Sequence, residues 1–126
     1  MSRAGLILFA HGARDPRWAQ PFEAVAQRVR QRHANARVRL AYLEFMSPSL
    51  AEAAAALVVE GCSRIDVLPL FLGAGGHLRK DLPLLMDALR VAHPTTAFSV
   101  HAAVGEIDSV IAAMADAAAT LLRPAT

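Results

Sequence analysis

Short apolar segments alternate along the chain with longer segments of helical periodicity. The apolar segments are typical of strands buried on both faces of a parallel sheet, because their hydrophobic residues are consecutive or nearly so. These predicted strands are Leu6–Ala10, Val38–Phe45, Ile65–Leu72 and Ala97–Ala102. Pro69 lies within the third of them and removes one backbone hydrogen-bond donor from its ladder.

Four other segments carry apolar residues three and four positions apart and are predicted helices. They are Pro16–His33, the Ala-rich segment from Ser49 to Glu60, Asp81–Ala92 and Asp108–Leu122. Asp15 followed by Pro16 suits the start of the first helix. Ser49 and Glu52 have the spacing of a capping box, and Gly61 is placed to end the second helix.

The alternation of strands and helices predicts an α/β fold, with a parallel four-stranded sheet, helices on both faces and a flavodoxin-like topology. Parallel neighbours need a crossover, which is almost always right-handed and usually contains a helix. The chain shows no linker, low-complexity tract or repeat, so residues 1–126 are predicted to form a single domain. A domain of this length can bury a core without disulfides or structural metals.

The composition excludes several classes of protein. Hydrophobic residues make up 55% of the chain, and although 27 of them are alanines, this content excludes intrinsic disorder. The longest apolar runs fall well short of the roughly 18–20 residues that a membrane span needs, and no secretory signal is recognisable. Cys62 is the single cysteine, so no intrachain disulfide can form, and we expect a cytoplasmic protein without membrane contact.

The charge pattern favours a small anionic ligand over nucleic acid. Lysines and arginines number 13 and acidic residues 11, which gives a formal net charge of +2. The basic residues are dispersed, and only 6% of residues are aromatic, so the sequence lacks the basic and aromatic footprint of a nucleic-acid-binding surface. We therefore predict no nucleic-acid partner.

Three candidate metal ligands follow the predicted strands. His11 comes directly after the first strand, Glu44 lies at the end of the second, and His77 follows the third strand and a glycine-rich turn. In open parallel sheets, ligands bind outside the carboxyl ends of the strands, so these side chains are predicted to share one edge. Two imidazoles and one carboxylate form an open site for a divalent metal such as cobalt, iron or nickel, and ligand type does not exclude zinc.

Each of these residues also has a purely structural interpretation. A histidine after a buried strand often makes a single backbone hydrogen bond, and a glutamate at a strand end is often solvated. The convergence of three such residues beside a glycine-rich turn favours a functional site. The remaining histidines are interpreted as structural, since His33 and His93 end helices and His101 alternates within a strand.

Three segments resemble the short-form sirohydrochlorin chelatases, which are class II chelatases of cobalamin and siroheme synthesis. The segments are LILFAHGARDP (Leu6–Pro16), AYLEFMSPSLAEA (Ala41–Ala53) and VLPLFLGAGGHLRKDLP (Val67–Pro83). The resemblance spans nearly the whole chain in the family's order. It implies a chelatase-like parallel α/β sheet and a lyase-type enzyme that inserts cobalt, iron or nickel as the divalent ion into sirohydrochlorin, without a nucleotide cofactor.

The resemblance also implies roles for particular residues. His11 and His77 fall on the family's metal-binding and catalytic histidines, and His11 stands where the proton acceptor is expected. Glu44 matches an acidic position and is a candidate for contact with both metal and tetrapyrrole. The stretch that contacts the macrocycle corresponds to Leu72, Gly73, Ala74, Gly75 and Gly76. Sirohydrochlorin is a polycarboxylate, so basic residues near this edge are expected to hold its side chains, although each can equally be a solvated surface charge. These basic residues are Arg14, Arg79 and Lys80.

Two departures from the family pattern affect these expectations. Ala13 replaces a common serine, and Val104–Asp108 lacks the histidine and proline often found after the glycine, which leaves a C-terminal contribution to the site open. Larger relatives fuse two such domains in one chain. The resemblance therefore implies that the short form is a homodimer, with His11 and His77 facing a cleft between the subunits.

Two other functions remain open at this point. A carrier that binds metal or tetrapyrrole without turnover would use the same ligands. A histidine phosphatase also places His-Gly after its first strand, but that chemistry needs an arginine directly before the histidine, where this chain has Ala10. The sequence does not select among cobalt, iron and nickel, because availability in the cell outweighs ligand preference.

Overall fold

The sheet in the computed structural model has four parallel strands in the order β2-β1-β3-β4. The structure describes residues 3–73 and 75–122, with His77 described by its backbone alone. The strands are β1 (Arg3–Ala10), β2 (Arg37–Tyr42), β3 (Cys62–Pro69) and β4 (Ala97–Val100). The predicted α/β fold with a four-stranded parallel sheet is confirmed.

Four α-helices surround the sheet within the described residues. They are α1 (Gln20–Arg32), α2 (Leu50–Val59), α3 (Gly76–Ala92) and α4 (Asp108–Ala119). Two short 3-10 turns add to them, Pro16–Ala19 before α1 and Val104–Glu106 before α4. The region predicted as one helix from Pro16 to His33 is thus a 3-10 turn that continues into α1. Helix α4 ends at Ala119, three residues before the predicted end at Leu122.

The 3-10 turn before α1 and helix α2 both start at the capping residues that the sequence predicts. The Asp15 carboxylate accepts a hydrogen bond from the Arg17 backbone N–H at 2.9 Å, and Pro16 follows it. Before α2, the Glu52 N–H donates to Ser49 Oγ at 3.1 Å, and the Ser49 N–H donates to Glu52 Oε1 at 2.9 Å. The hydrogen bonds from Ser49 lower the pKa of the Glu52 carboxyl group. The capping box is therefore confirmed.

The core lies on both faces of the sheet because side chains along each strand alternate in direction. On one face, Ile7, Phe9 and Val67 pack with buried residues of α2 and α3. On the other face, Leu8 and Val38 pack with Ala26 of α1. The central strand β1 is thus buried on both sides, as its continuous apolar run predicts.

Helix α4 differs from the other helices because none of its residues is buried. Ile111 and Met114 on this helix have exposed fractions of 45% and 43%. The sequence predicts that helices cover both faces of the sheet, and α1, α2 and α3 do so. Helix α4 leaves its apolar residues uncovered within this chain.

The boundaries nearest the predicted site, which are the ends of β2, β3 and β4 and the start of α3, differ from the predicted ones. Strand β2 ends at Tyr42 instead of Phe45, β3 at Pro69 instead of Leu72, and β4 at Val100 instead of Ala102. In each case apolar residues continue past the strand into the loop, where they remain useful for packing or for ligand contact. The apolar pattern alone therefore places the strand ends two or three residues too late.

Helix α3 begins at Gly76, five residues before the predicted start at Asp81. Gly75 has an extended backbone and acts as the N-cap, and its carbonyl accepts a hydrogen bond from the Arg79 N–H at 3.2 Å. His77 is consequently in the first turn of α3, not in a glycine-rich loop. The glycines conceal this start, because their intrinsic helix propensity is low.

Candidate functional site

Hydrogen bonds between the first two strands continue past the strand ends and bring His11 beside Glu44. The Leu43 N–H donates to the Ala10 carbonyl at 2.9 Å, and the Glu44 N–H donates to the His11 carbonyl at 3.0 Å. The two side chains meet with His11 Nε2 at 3.3 Å from Glu44 Oε1. The structure therefore brings together two of the three residues predicted as metal ligands.

The hydrogen bonds of the His11 ring define the chemistry of this pair. His11 Nδ1 lies 3.2 Å from the Gly12 carbonyl oxygen, which can only accept, so this contact is a hydrogen bond in the tautomer that carries a proton on Nδ1. A neutral ring then presents the lone pair of Nε2 to the Glu44 carboxylate. Two acceptors that face each other at 3.3 Å are stabilised by a proton or a metal cation between them.

Gly12 is required for this approach of the two loops. Its φ is +94°, a left-handed conformation that residues with a side chain rarely adopt. A Cβ atom at this position would lie 1.8 Å from the Glu44 carbonyl oxygen. Gly12 has no role in the sequence-based prediction, where the signal at this position is the adjacent His11.

The loop after β3 contributes Phe71 to the same edge. The Phe71 ring is buried and lies edge-on to His11, with 6.5 Å between ring centroids, and edge-on to Phe9 at 5.9 Å. The Phe71 carbonyl accepts a hydrogen bond from the Gly105 N–H at 3.0 Å. Phe71 therefore forms an apolar wall behind His11 that sequence reasoning did not single out.

The segment Val104–Asp108, which departs from the family pattern, is anchored to the loop after β3. A Cβ atom on Gly105 would lie 1.7 Å from the Leu72 carbonyl oxygen, so this position needs glycine. Glu106 Oε1 lies 3.9 Å from Arg79 Nη2. The segment thus supports the site through its backbone and one ion pair.

The third predicted ligand, His77, occupies the second position of α3. Among the side chains that the structure describes, no group of three or more His, Cys, Asp or Glu residues could hold a metal ion. Cys62 is buried in the core, and burial raises the pKa of its thiol, which disfavours the thiolate needed for metal binding. Of the three predicted metal ligands, the described side chains that meet at this edge are therefore those of His11 and Glu44.

The stretch predicted to contact a macrocycle is open to solvent where it is described. Leu72 is 65% exposed. A Cβ atom added to Gly73, Gly75 or Gly76 would meet no other atom within 4 Å, so packing within the chain does not require glycine at these positions. Ala74, which was predicted with them, lies outside the described residues.

The three predicted basic residues lie on the loop after β1 and at the start of α3. Arg14 follows β1, and its guanidinium carbon lies 5.1 Å from the centre of the Phe45 ring. Arg79 and Lys80 are exposed in the first turns of α3. The side chains of His11 and Glu44 are themselves 52% and 49% exposed, so the site of one chain is an open edge of the sheet.

The other histidines lie away from this pair. His33 and His93 are the C-cap residues of α1 and α3, which agrees with their predicted structural role. His101 lies just past β4 instead of alternating within it, and its Nε2 atom is 3.0 Å from Asp66 Oδ1. The prediction for His101 placed the strand end too late.

Comparison with known proteins identifies the family. The CbiX family model matches residues 5–121. The chain belongs to the CbiX family. A crystal structure of a CbiX protein from Marinobacter aquaeolei is 33% identical, with a TM-score of 0.83 over 94% of this chain and 97% of that one. The predicted resemblance to the sirohydrochlorin chelatases is confirmed by this family and by the curated relatives.

The curated relatives of this CbiX family chain are sirohydrochlorin cobaltochelatases. The protein from Methanosarcina acetivorans is 31% identical over 85 residues, which is 68% of this chain and 65% of the relative. The protein from Saccharolobus islandicus is 34% identical over 82 residues, which is 65% of this chain and 62% of the relative. The aligned chain thus spans just under two thirds of the length of these relatives.

The fold also occurs in larger relatives. The sirohydrochlorin chelatase SirB from Bacillus subtilis, solved with cobalt, is 24% identical, with a TM-score of 0.72 over 90% of this chain and 49% of SirB. This likeness shows the shared fold. In the described part of the CbiX family chain, no helix is both long and apolar enough to span a membrane.

Proposed function

We propose that this CbiX family chain is a metal chelatase that inserts a divalent ion, cobalt or iron, into sirohydrochlorin in the cytoplasm. In this proposal, residues 1–126 form one chelatase domain that needs no nucleotide. The observation that carries the proposal is the approach of His11 Nε2 to Glu44 Oε1 at 3.3 Å on an open sheet edge. The curated relatives support the substrate class, since they are sirohydrochlorin cobaltochelatases.

The distance between the two side chains suits a shared metal ion. Bonds from a first-row divalent metal to imidazole nitrogen and carboxylate oxygen are about 2.1 Å long, so two neighbouring ligands lie about 3.0–3.4 Å apart in octahedral or tetrahedral geometry. The His11–Glu44 separation of 3.3 Å falls in this range. Two protein ligands leave several coordination positions for water and for the incoming pyrrole nitrogens.

Metal insertion also releases two pyrrole protons, which a base must accept. The proposed acceptor is His11, because its Nε2 atom lies beside Glu44 at the open edge and has a lone pair in the neutral ring with a proton on Nδ1. The same nitrogen cannot hold a metal and a proton together, so these roles follow each other during the reaction. His77 is proposed as the second metal-binding and catalytic histidine, which rests on its match to the family motif.

The remaining groups at this edge suit a flat polycarboxylate. Within the stretch Leu72–Gly76, residues 73–76 carry no bulky side chain, so a planar macrocycle can approach their backbone. Arg14, Arg79 and Lys80 supply positive charge for the substrate carboxylates, with guanidinium groups able to bind them in a bidentate manner. Glu44 is proposed to contact both metal and substrate.

The direct test is anaerobic insertion of cobalt, iron and nickel into sirohydrochlorin, followed by the change in absorbance. Many turnovers per protein molecule with at least one metal, and at rates above the uncatalysed reaction, are expected without added nucleotide. Binding of metal or tetrapyrrole without turnover would instead identify a carrier. The relative rates with the three metals would identify the preferred one.

Replacement of Glu44 by Gln is expected to lower the insertion rate about tenfold, because the amide keeps the size of the side chain but loses the charge that supports a metal beside His11. The measurement is kcat/KM for metal at constant sirohydrochlorin. Glu23→Gln, which removes an exposed carboxylate on α1, is the matched control. Unchanged kinetics in Glu44→Gln would make Glu44 a structural residue.

We also propose that the chain functions as a homodimer whose cleft between subunits is faced by His11 and His77. The open site supports this proposal, because the half-exposed His11–Glu44 pair cannot enclose a tetrapyrrole alone. Helix α4 supplies an apolar surface for the partner, since Ile111 and Met114 are uncovered. A two-fold pair is the commonest closed assembly.

Light scattering at micromolar concentration should give the mass of a dimer. Ile111→Glu should shift the protein toward the monomer, since it would bury a charge in the proposed interface. Val91→Glu is the control, because Val91 is 83% exposed on α3. A fully active monomer would contradict the proposed assembly.

A further inference from the structure

Phe45 combines two features that folding does not explain. Its φ is +66°, and it is the one non-glycine residue with a positive φ in the described part of the chain. A bulky side chain in this left-handed conformation is strained, and such strain concentrates at functional sites. The ring is also 58% exposed, so it contributes little to the core.

Arg14 holds this ring at the candidate site. The guanidinium carbon of Arg14 lies 5.1 Å from the centre of the Phe45 ring, within the range of a cation–π contact. Arg14 belongs to the loop after β1 and Phe45 to the loop after β2, the same two loops that supply His11 and Glu44. The contact therefore joins the same two loops that the His11–Glu44 pair joins.

We propose that Phe45 and Arg14 form a substrate-binding platform, in which the Phe45 ring contacts one face of the planar macrocycle and Arg14 binds a peripheral carboxylate. This inference rests on the proposed function. An exposed aromatic ring supplies a flat apolar contact, and the neighbouring guanidinium matches the charge of the substrate. The Phe45 ring and the neighbouring Arg14 guanidinium thus match a planar apolar macrocycle that carries carboxylates at its periphery.

The strained backbone gives a test that separates binding from folding. Glycine adopts a positive φ without strain, so Phe45→Gly should keep or raise the melting temperature while it removes the ring. We expect the affinity for metal-free sirohydrochlorin, measured by absorbance titration, to fall about tenfold, since aromatic contacts are worth up to roughly this factor. In turnover, KM for sirohydrochlorin should rise similarly, with kcat changed less than about threefold.

Two further variants complete the experiment. Phe45→Tyr keeps a ring and should bind sirohydrochlorin within about twofold of the unsubstituted protein. Val59→Ala removes an apolar side chain that is 87% exposed at the end of α2, on the opposite edge of the sheet, and should change neither affinity nor KM.

The outcomes distinguish this inference from the proposed function. Unchanged sirohydrochlorin affinity in Phe45→Gly, or weaker affinity together with a lower melting temperature, would overturn the platform. Absence of metal insertion by the unsubstituted protein would overturn the proposed chelatase function, whereas the binding titration would still decide the role of Phe45.

Discussion

Alanine at His11 or at His77 is expected to lower the rate of metal insertion into sirohydrochlorin about 10²- to 10⁴-fold, the range that a positioned general base contributes. At His11 the substitution removes the nitrogen that faces Glu44 at 3.3 Å, which is the proposed proton acceptor and metal ligand. The His11 side chain is half-exposed, so its loss should leave the fold intact. The measurement is single-turnover insertion followed by absorbance, with circular dichroism to confirm folding.

His33→Ala provides the matched control for both substitutions. His33 is the C-cap residue of α1, at the end of the helix away from the candidate site, so activity should be retained. Full activity in a folded His77→Ala protein would contradict the assignment of the second histidine and leave His11 and Glu44 as the acting pair.

Gly12→Ala is expected to cost about 3 kcal/mol or more in the free energy of unfolding and to abolish metal insertion. The φ of +94° strains any side chain, and the new Cβ would lie 1.8 Å from the Glu44 carbonyl oxygen. The two loops must therefore separate, which also breaks the approach of His11 to Glu44. Thermal unfolding should show a melting temperature lower by roughly 10 °C.

Gly61→Ala isolates the contribution of the backbone conformation. Gly61 has a nearly identical φ of +92°, but a Cβ atom there would meet nothing within 4 Å. The Gly61→Ala substitution should lower the free energy of unfolding by only about 1 kcal/mol and leave activity unchanged. Equal destabilisation by the two substitutions would show that the close contact between the loops is unimportant.

The sequence predicts the architecture well because the relevant signals are local. Consecutive apolar residues identify the buried strands, and the Ser49–Glu52 spacing identifies the start of α2. The sequence also predicts that His11 and Glu44 share one edge of the sheet, since parallel strands with helical crossovers place their carboxyl ends together. These signals need no knowledge of side-chain packing.

Other parts of the site depend on contacts between distant segments and cannot be predicted in this way. The approach of Gly12 to the Glu44 carbonyl joins two loops that are 32 residues apart in the chain. The left-handed backbone of Phe45 contradicts its intrinsic preference, so no local pattern indicates it. Similarly, the apolar pattern predicts that Phe71 belongs to the third strand. In the structure Phe71 lies in the loop after β3, and this loop places its ring beside His11.

Helix α4 is the helix whose sequence the core of this chain constrains least. Since no residue of α4 is buried within the chain, its sequence is not constrained by the core that α1, α2 and α3 build on the sheet. Substitutions on this helix can therefore accumulate at little cost to the rest of the fold. In the proposed homodimer, the surface of α4 can therefore change with the partner it meets, whether a second chain or the other half of a fused chain, while the residues around His11 stay as they are.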